Sequence, residues 1–368
     1  MIGLPNSVPT VAWVALLATL LALVLLLRLT IKYAPIIGQK FEERPFFAPL
    51  RVSPVETGQL VEFSTPDGLR LSGSYLRART PERAGVFVYC HEYLSDRWSF
   101  HPYVDPLRDL GFDIFAFDFR NHGASGYEAG YSPMHWASDR EVCDLRAALA
   151  YLRSRPDRDP AGFGLFGVSR GGTTALLVTP GERDVWGVIT DGAFPTTGMM
   201  VSYSVRWTEL FIKSPLLRGL LPRWLYTLLA RVGRRRAERR LNCRFPEVER
   251  AVARLAPRPW LMIHGQRDTY VSPDVVQDLF RHGNGPKELW LVPAAKHNRC
   301  RECEPEAYAA RLVGFLQRFA PRRPVVAPAP APPPLAETRA ELTGNYTAEL
   351  EAPKLAGEVL QPAEIQLG

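Results

Sequence analysis

Phe166-Gly167-Val168-Ser169-Arg170-Gly171-Gly172 is the stretch that decides the fold of this chain. Glycine flanks the serine at i−2 and at i+2. The apolar run Gly162 to Phe166 leads in as a short buried strand, and Thr173 to Val178 leads out as a helix. A serine on so sharp a strand-to-helix turn sits in strained backbone geometry. The flanking positions must be glycine because a Cβ there would strike the neighbouring strand or helix. The turn pushes the hydroxyl out at the top edge of the sheet, over the positive end of the following helix. Glycine-x-serine-x-glycine alone occurs by chance, so the reading rests on its surroundings.

Downstream, Trp260 to Ile263 is an apolar strand, and the turn after it carries Asp268. Leu289 to Pro293 is another strand, followed by Ala294-Ala295-Lys296-His297-Asn298. The chain order is therefore Ser169, Asp268, His297. The first interval of 99 residues leaves room for two strands and a cap, and the second of 29 fits one helix and one strand. Over residues 58 to 319 the chain resembles the α/β-hydrolase superfamily, in its monoglyceride-lipase-like and serine-peptidase-like branch. Asp118-Phe119-Arg120-Asn121-His122-Gly123-Ala124-Ser125 is similar to that superfamily's loop of the form D-x-R-G-H-G-x-S.

The resemblance implies an α/β fold with a mostly parallel central sheet, helices on both faces and a helical cap. Strands read at Gln59–Ser64, Leu69–Leu76, Gly85–Cys90, Phe112–Phe117 and Val185–Thr190, with helical spacing at 98–110, 137–153 and 305–319, agree with it. It also implies the chemistry. Ser169 is the expected nucleophile and His297 its base; Asp268 fixes the imidazole tautomer. Asp191, which also follows a strand, is the competing acid, and His264 reads as structural. The oxyanion hole falls to the backbone N–H groups of Arg170 and Tyr93. Relatives carry His-Gly-x at the second of these loops, whereas this chain has His91-Glu92-Tyr93. Glu92 is either solvated or paired with Arg170 or Arg97. No cofactor and no metal is implied.

The chain has 368 residues, 46% of them hydrophobic, and a net charge of +7. The charge is local: residues 206 to 240 hold ten Lys/Arg against two acids, a net +8. Val8 to Leu27 is twenty residues without a charge, about 30 Å as a helix and enough to cross a bilayer. A cleaved signal peptide is the alternative, but no Lys or Arg precedes the run and no small-x-small site follows Leu29. Arg28, Lys32 and Lys40 lie just behind it, which places a catalytic domain on the cytoplasmic side of a single-pass anchor. Expected boundaries are 1–40 for the anchor and juxtamembrane segment, 41–320 for the hydrolase domain, and 321–368 for a Pro-rich tail. Seven prolines between Pro321 and Pro334 favour polyproline II in that tail. The Asn345 sequon lies within it.

Between about 194 and 258 the strand–helix rhythm breaks, where relatives insert a cap. This cap either packs its apolar face on the catalytic domain with its arginines in water, the favoured reading, or rests on an anionic leaflet beside the anchor. Five cysteines without framework spacing indicate reduced thiols. Cys300-x-x-Cys303 has no partner motif for a zinc site, which leaves two loop thiols or a regulatory disulfide. The expected substrate is a small or lipid-like acyl compound, cleaved at an ester, thioester or amide bond. A small-peptide serine peptidase and a non-catalytic membrane-tethered scaffold of the same fold are the rivals. The basic window is interleaved with leucines and carries no nucleic-acid module. Oligomeric state is not legible.

Overall fold

The computed structural model of the protein describes residues 7–43, 48–54 and 56–321, so the expected Pro-rich tail beyond Pro321 lies outside the described residues. Eight strands form one sheet: β1 (Gln59–Ser64), β2 (Arg70–Leu76), β3 (Gly85–Cys90), β4 (Phe112–Phe117), β5 (Phe163–Val168), β6 (Val185–Asp191), β7 (Trp260–Gly265) and β8 (Lys287–Val292). Their spatial order is β1-β2-β4-β3-β5-β6-β7-β8. β2 is antiparallel to both of its neighbours, and every pairing from β4 to β8 is parallel.

Apart from the edge strand β8, whose residues 287 to 291 are half-buried, the parallel strands are buried on both faces, which is why they read as continuous apolar runs rather than alternating ones. Alternate residues still go to opposite sides. In β3, Val86, Val88 and Cys90 enter one core cluster, while Phe87 and Tyr89 enter the other. Helices Asp139–Ser154 and Arg170–Val178 contribute to the first cluster, and Pro305–Phe319 to the second. Ser138 begins the Asp139–Ser154 helix with a capping box to Glu141. The helix expected over 98–110 is instead a 3₁₀ turn, one α-turn at Phe100–Val104 and a second 3₁₀ stretch. Pro102 and Pro106 remove backbone donors there.

The first helix, Ser7–Lys40, is longer than the uncharged run within it. Its segment Thr10–Lys40 is long and apolar enough to cross a membrane. Residues 10 to 25 are exposed throughout, whereas Ala34 is buried, and Ile37 and, just beyond the helix, Phe41 belong to the first core cluster. The helix docks on the cap helix Arg223–Leu241. They cross where two glycines meet: a Cβ on Gly233 would lie 2.9 Å from Ile37 Cγ2 and 3.0 Å from the carbonyl oxygen of Ala34, and one on Gly38 would lie 3.1 Å from the carbonyl oxygen of Gly233. Small residues let two helix backbones approach this closely. Phe41 then packs, with its ring tilted, against Trp136 and Phe245, with centroids 4.7 and 5.2 Å away, and Arg240 pairs with Glu42.

The cap comprises helices Thr197–Phe211, Pro215–Gly219, Arg223–Leu241 and Val248–Val252. Only part of its apolar surface packs inward. Met199, Met200, Leu225 and Leu229 are buried, but Phe211 is 75%, Leu216 84% and Leu220 74% exposed. The expectation that the apolar face packs on the catalytic domain is therefore corrected for the 207–224 edge. Pro215 and Pro222 cut this edge into a one-turn helix and a bend, too short to turn all their leucines inward.

Candidate active site

β5 ends at Val168 and the next helix begins at Arg170, so Ser169 alone makes the turn, with φ 49° and ψ −118°. That conformation is rare for a residue with a Cβ and stores strain. The surrounding glycines permit it. A Cβ on Gly167 would sit 2.5 Å from the Gly172 backbone nitrogen, and one on Gly171 would sit 2.1 Å from the carbonyl oxygen of Cys90. The Ser169 N–H donates to the Asp191 carbonyl at 2.7 Å, which ties the turn to β6.

Ser169 Oγ lies 2.9 Å from Nε2 of His297, and His297 Nδ1 lies 2.6 Å from Oδ2 of Asp268. The structure thus brings together three residues separated in sequence, each from the C-terminal end of a different strand (β5, β7 and β8). Asp268 is fixed through its other oxygen, which accepts the N–H groups of Tyr270 and Val271, both at 2.8 Å. Burial alone would raise its pKa, but the His297 hydrogen bond and the Val271 N–H outweigh that and hold it below the usual carboxylate range. Asp191 does not reach the imidazole in this way. It is fully buried, accepts from the Tyr308 hydroxyl at 3.1 Å, and is pushed up to about 6 by burial. Tyr103 donates its hydroxyl to the carbonyl of Asn298 at 3.2 Å and so braces the loop that carries His297.

His264, read from sequence as structural, stands behind the acid. It is fully buried, with Nε2 2.9 Å from the Val271 carbonyl and 3.3 Å from Asp268 Oδ2. Burial depresses its pKa to about 4, so at neutral pH Nε2 carries the ring's only proton and donates it to these oxygens. The signal was an i, i+4 histidine–aspartate pair, but across a strand-end turn that spacing implies no contact.

The expected oxyanion-hole residues lie at the same place. Arg170 opens the elbow helix, where the first N–H groups have no intrahelical acceptor, and Tyr93 lines the pocket above Ser169. The Arg170 side chain turns underneath. It is fully buried, donates to the Met134 carbonyl at 3.0 Å and to His122 Nε2 at 3.1 Å, and lies 3.5 Å from Glu141. His91 is held from both sides: its Nε2 accepts the Phe119 N–H at 3.1 Å, so Nδ1 carries the proton and donates to the Glu92 carbonyl at 2.7 Å. Burial, followed by the Arg170 charge, depresses its pKa to about 3.

Glu92 follows neither expectation. It is 5% exposed and pairs with neither arginine; it accepts the Leu50 N–H and the Ser99 hydroxyl, each at 3.3 Å. Arg97 pairs instead with Asp118. Burial pushes Glu92 up to about 7. Its partner Leu50 belongs to the irregular segment between the first helix and β1, which Ser95 Oγ also holds through the Leu50 carbonyl at 2.8 Å and Asp96 holds through Arg51 at 2.9 Å. Residues 48 to 51 thereby form one wall of the pocket, a role no sequence pattern announces. The cavity is about 330 Å³ and contains Ser169, His297, Glu92, Tyr93 and Tyr270 in its lining. The ring of Tyr270 meets His297 edge-on, with centroids 5.2 Å apart.

All five cysteines are free. Cys300 and Cys303 lie on a single helical turn just after the His297 loop. Cys300 is fully buried, its thiol pushed up by burial and then by the charge of Asp191, while Cys303 is exposed. Among the described residues no cluster of His, Cys, Asp and Glu could hold a metal ion.

Residues 81–254 match the family profile described as serine aminopeptidase, S33. That stretch includes Ser169 and the cap but stops short of Asp268 and His297. The esterase Pf2001 of Pyrococcus furiosus superposes with a TM-score of 0.52 at 25% identity, over 74% of this chain and all of that one. By fold this is an α/β hydrolase, of the serine-hydrolase type. Among curated proteins, YfhR of Escherichia coli (strain K12), itself uncharacterised, is 24% identical over 266 residues, 71% of this chain and 81% of its own length. The thiohydrolase aneE of Aspergillus aculeatus is 32% identical over 118 residues, 32% of this chain and 35% of that protein.

Proposed function

We propose that this α/β hydrolase cleaves an ester, thioester or amide of a small or lipid-like acyl substrate through an acyl-enzyme on Ser169. The observation that carries the reading is the unbroken relay from Ser169 Oγ through His297 to Asp268, at 2.9 and 2.6 Å. His297 Nε2 takes the Ser169 proton as Oγ attacks the carbonyl carbon. The resulting oxyanion is met by the N–H groups of Tyr93 and Arg170. His297 then returns the proton to the leaving group, and water repeats the sequence to release the acid. Asp268 stays ionised and stabilises the imidazolium. No step calls for a cofactor or metal.

The helix Ser7–Lys40 acts as an uncleaved single-pass anchor, with the catalytic domain on the cytoplasmic side given by Arg28, Lys32 and Lys40. Its docking supports this: one unbroken helix carries the apolar run into Ile37, which is buried in the first core cluster. The working division is 1–40, 41–320 with the cap at 194–258, and 321–368. A small-peptide substrate is the second reading, favoured by the exposed Glu302 in the pocket lining, which would receive a peptide's amino group. The test uses the full chain in lipid nanodiscs with three panels: acyl esters of graded chain length, acyl thioesters, and aminoacyl anilides. Turnover in one class, lost in Ser169→Ala, establishes that class. No turnover in any panel by a folded sample would leave the non-catalytic scaffold of the same fold.

A further inference from the structure

The exposed apolar edge of the cap adjoins the anchor helix. Leu29, Tyr33 and Ile36 of the helix and Trp207, Phe211 and Ile212 of the cap line opposite sides of one apolar groove of about 360 Å³. From this groove the apolar surface continues outward over Leu210, Leu216, Leu217, Leu220 and Trp224, which are 63%, 84%, 56%, 74% and 58% exposed. So many large apolar side chains on one contiguous edge mark a surface that meets something other than water.

The helix fixes the height of that edge. If the uncharged run ending at Leu27 fills the hydrocarbon, Leu29 lies about 3 Å and Ile36 about 14 Å beyond it, at 1.5 Å per residue. The headgroup region is about 5–8 Å deep on each side, so the Leu29 end of the groove lies within it, where the apolar side chains of an interfacial helix reach the acyl boundary, and the Ile36 end opens beyond it. The charges agree with an anionic leaflet. Between 206 and 224 the chain carries Arg206, Lys213, Arg218 and Arg223 against the single acid Glu209. Arg28 and Lys32 are exposed on the helix within about 8 Å of the end of the uncharged run, and Lys40, further out, lies over the Trp207 ring at 4.9 Å. Because the helix is locked to the cap at Gly38 and Gly233, the edge has no freedom to leave the bilayer while the helix spans it.

We propose that the 207–224 edge of the cap is embedded in the anionic leaflet from which the anchor emerges, with lipid tails filling the helix–cap groove. This rests on the reading of Ser7–Lys40 as a membrane span. Its consequence is that the catalytic domain is held at one fixed attitude, with substrate reaching it from the membrane interface.

The test is spin-label accessibility on the full chain in nanodiscs of phosphatidylcholine and phosphatidylglycerol, in a Cys143→Ser, Cys303→Ser background. Single labels go at Leu16→Cys in the span, Leu217→Cys on the cap edge and Glu62→Cys on the exposed face of β1. The expected result is that oxygen relaxes the Leu217 label several-fold more than a water-soluble nickel chelate does, as at Leu16, with the reverse at Glu62. A Leu217 label that behaves like Glu62 while Leu16 stays lipid-exposed overturns the inference and leaves the anchor intact. A Leu217 label shielded from both reagents overturns it in favour of contact with a second copy. An aqueous Leu16 label overturns the anchor and the inference together.

Discussion

Replacing Glu92 by glutamine tests whether the loop after β3 carries a buried, largely uncompensated carboxyl. The group is 5% exposed and receives two hydrogen bonds of 3.3 Å, from the Leu50 N–H and the Ser99 hydroxyl. Burial moves its pKa from 4.5 to about 7. The folded state holds this proton more tightly than the unfolded chain does. The stability it confers is therefore complete below about pH 4.5 and is lost as pH rises through 7. At about 1.4 kcal/mol for each pH unit between the two pKa values, the full loss by pH 8.5 is about 3 kcal/mol. An amide has no charge to lose, although it accepts at one atom only and gives back about 1 kcal/mol of hydrogen bonding. Glu92→Gln is thus expected to be slightly less stable than wild type at pH 4.5 and about 2 kcal/mol more stable at pH 8.5. Urea unfolding of both proteins in mild detergent, followed by tryptophan fluorescence across that range, measures it. Parallel stability curves, offset by a constant amount, would refute the reasoning and show Glu92 ionised or solvated in the fold.

The remaining expectations follow from the same geometry. Asp268→Asn should lower kcat about ten-thousandfold, the loss seen when a triad acid becomes an amide, whereas Asp191→Asn should stay within about tenfold; equal losses would reopen the choice of acid. Gly171→Ala places a methyl 2.1 Å from the Cys90 carbonyl oxygen, so its unfolding free energy should fall by about 3 kcal/mol, the upper end for overpacking, with activity falling as well. Cys303 should react with a maleimide in the folded protein and Cys300 should not, and a thiol reductant should leave activity unchanged. A reductant that altered turnover would restore the regulatory disulfide.

Most of the sheet could be read from the chain because strands such as Gly85–Cys90 and Phe163–Val168, buried on both faces, are continuous apolar runs between turn residues. The positions of Ser169, Asp268 and His297 were legible for a related reason: each follows the C-terminal end of an apolar strand, the edge at which open α/β sheets place their ligand sites. What escaped is tertiary. Residues 48 to 51 have no periodicity, and only the fold shows them clamped to Glu92, Ser95 and Asp96. His264 looked structural because its meeting with Asp268 depends on how the turn after β7 closes. The docking of the first helix turns on Gly38 and Gly233, two glycines unremarkable in sequence until the backbones are seen to cross. The cap misled in one respect, since leucines at 216, 217 and 220 suggest a packed face, while the prolines around them leave both sides of the turn outside.

The most direct test of the central claim, that Ser169 is a nucleophile activated by His297, is covalent labelling of the full chain by a fluorophosphonate. The probe needs an activated serine and an oxyanion site but no knowledge of the substrate. Wild type is expected to label stoichiometrically, Ser169→Ala not at all, and His297→Ala at less than about a hundredth of the wild-type rate, at the low end of what a general base contributes. A folded wild-type protein that does not label, or a Ser169→Ala variant that labels as fast as wild type, would contradict the account.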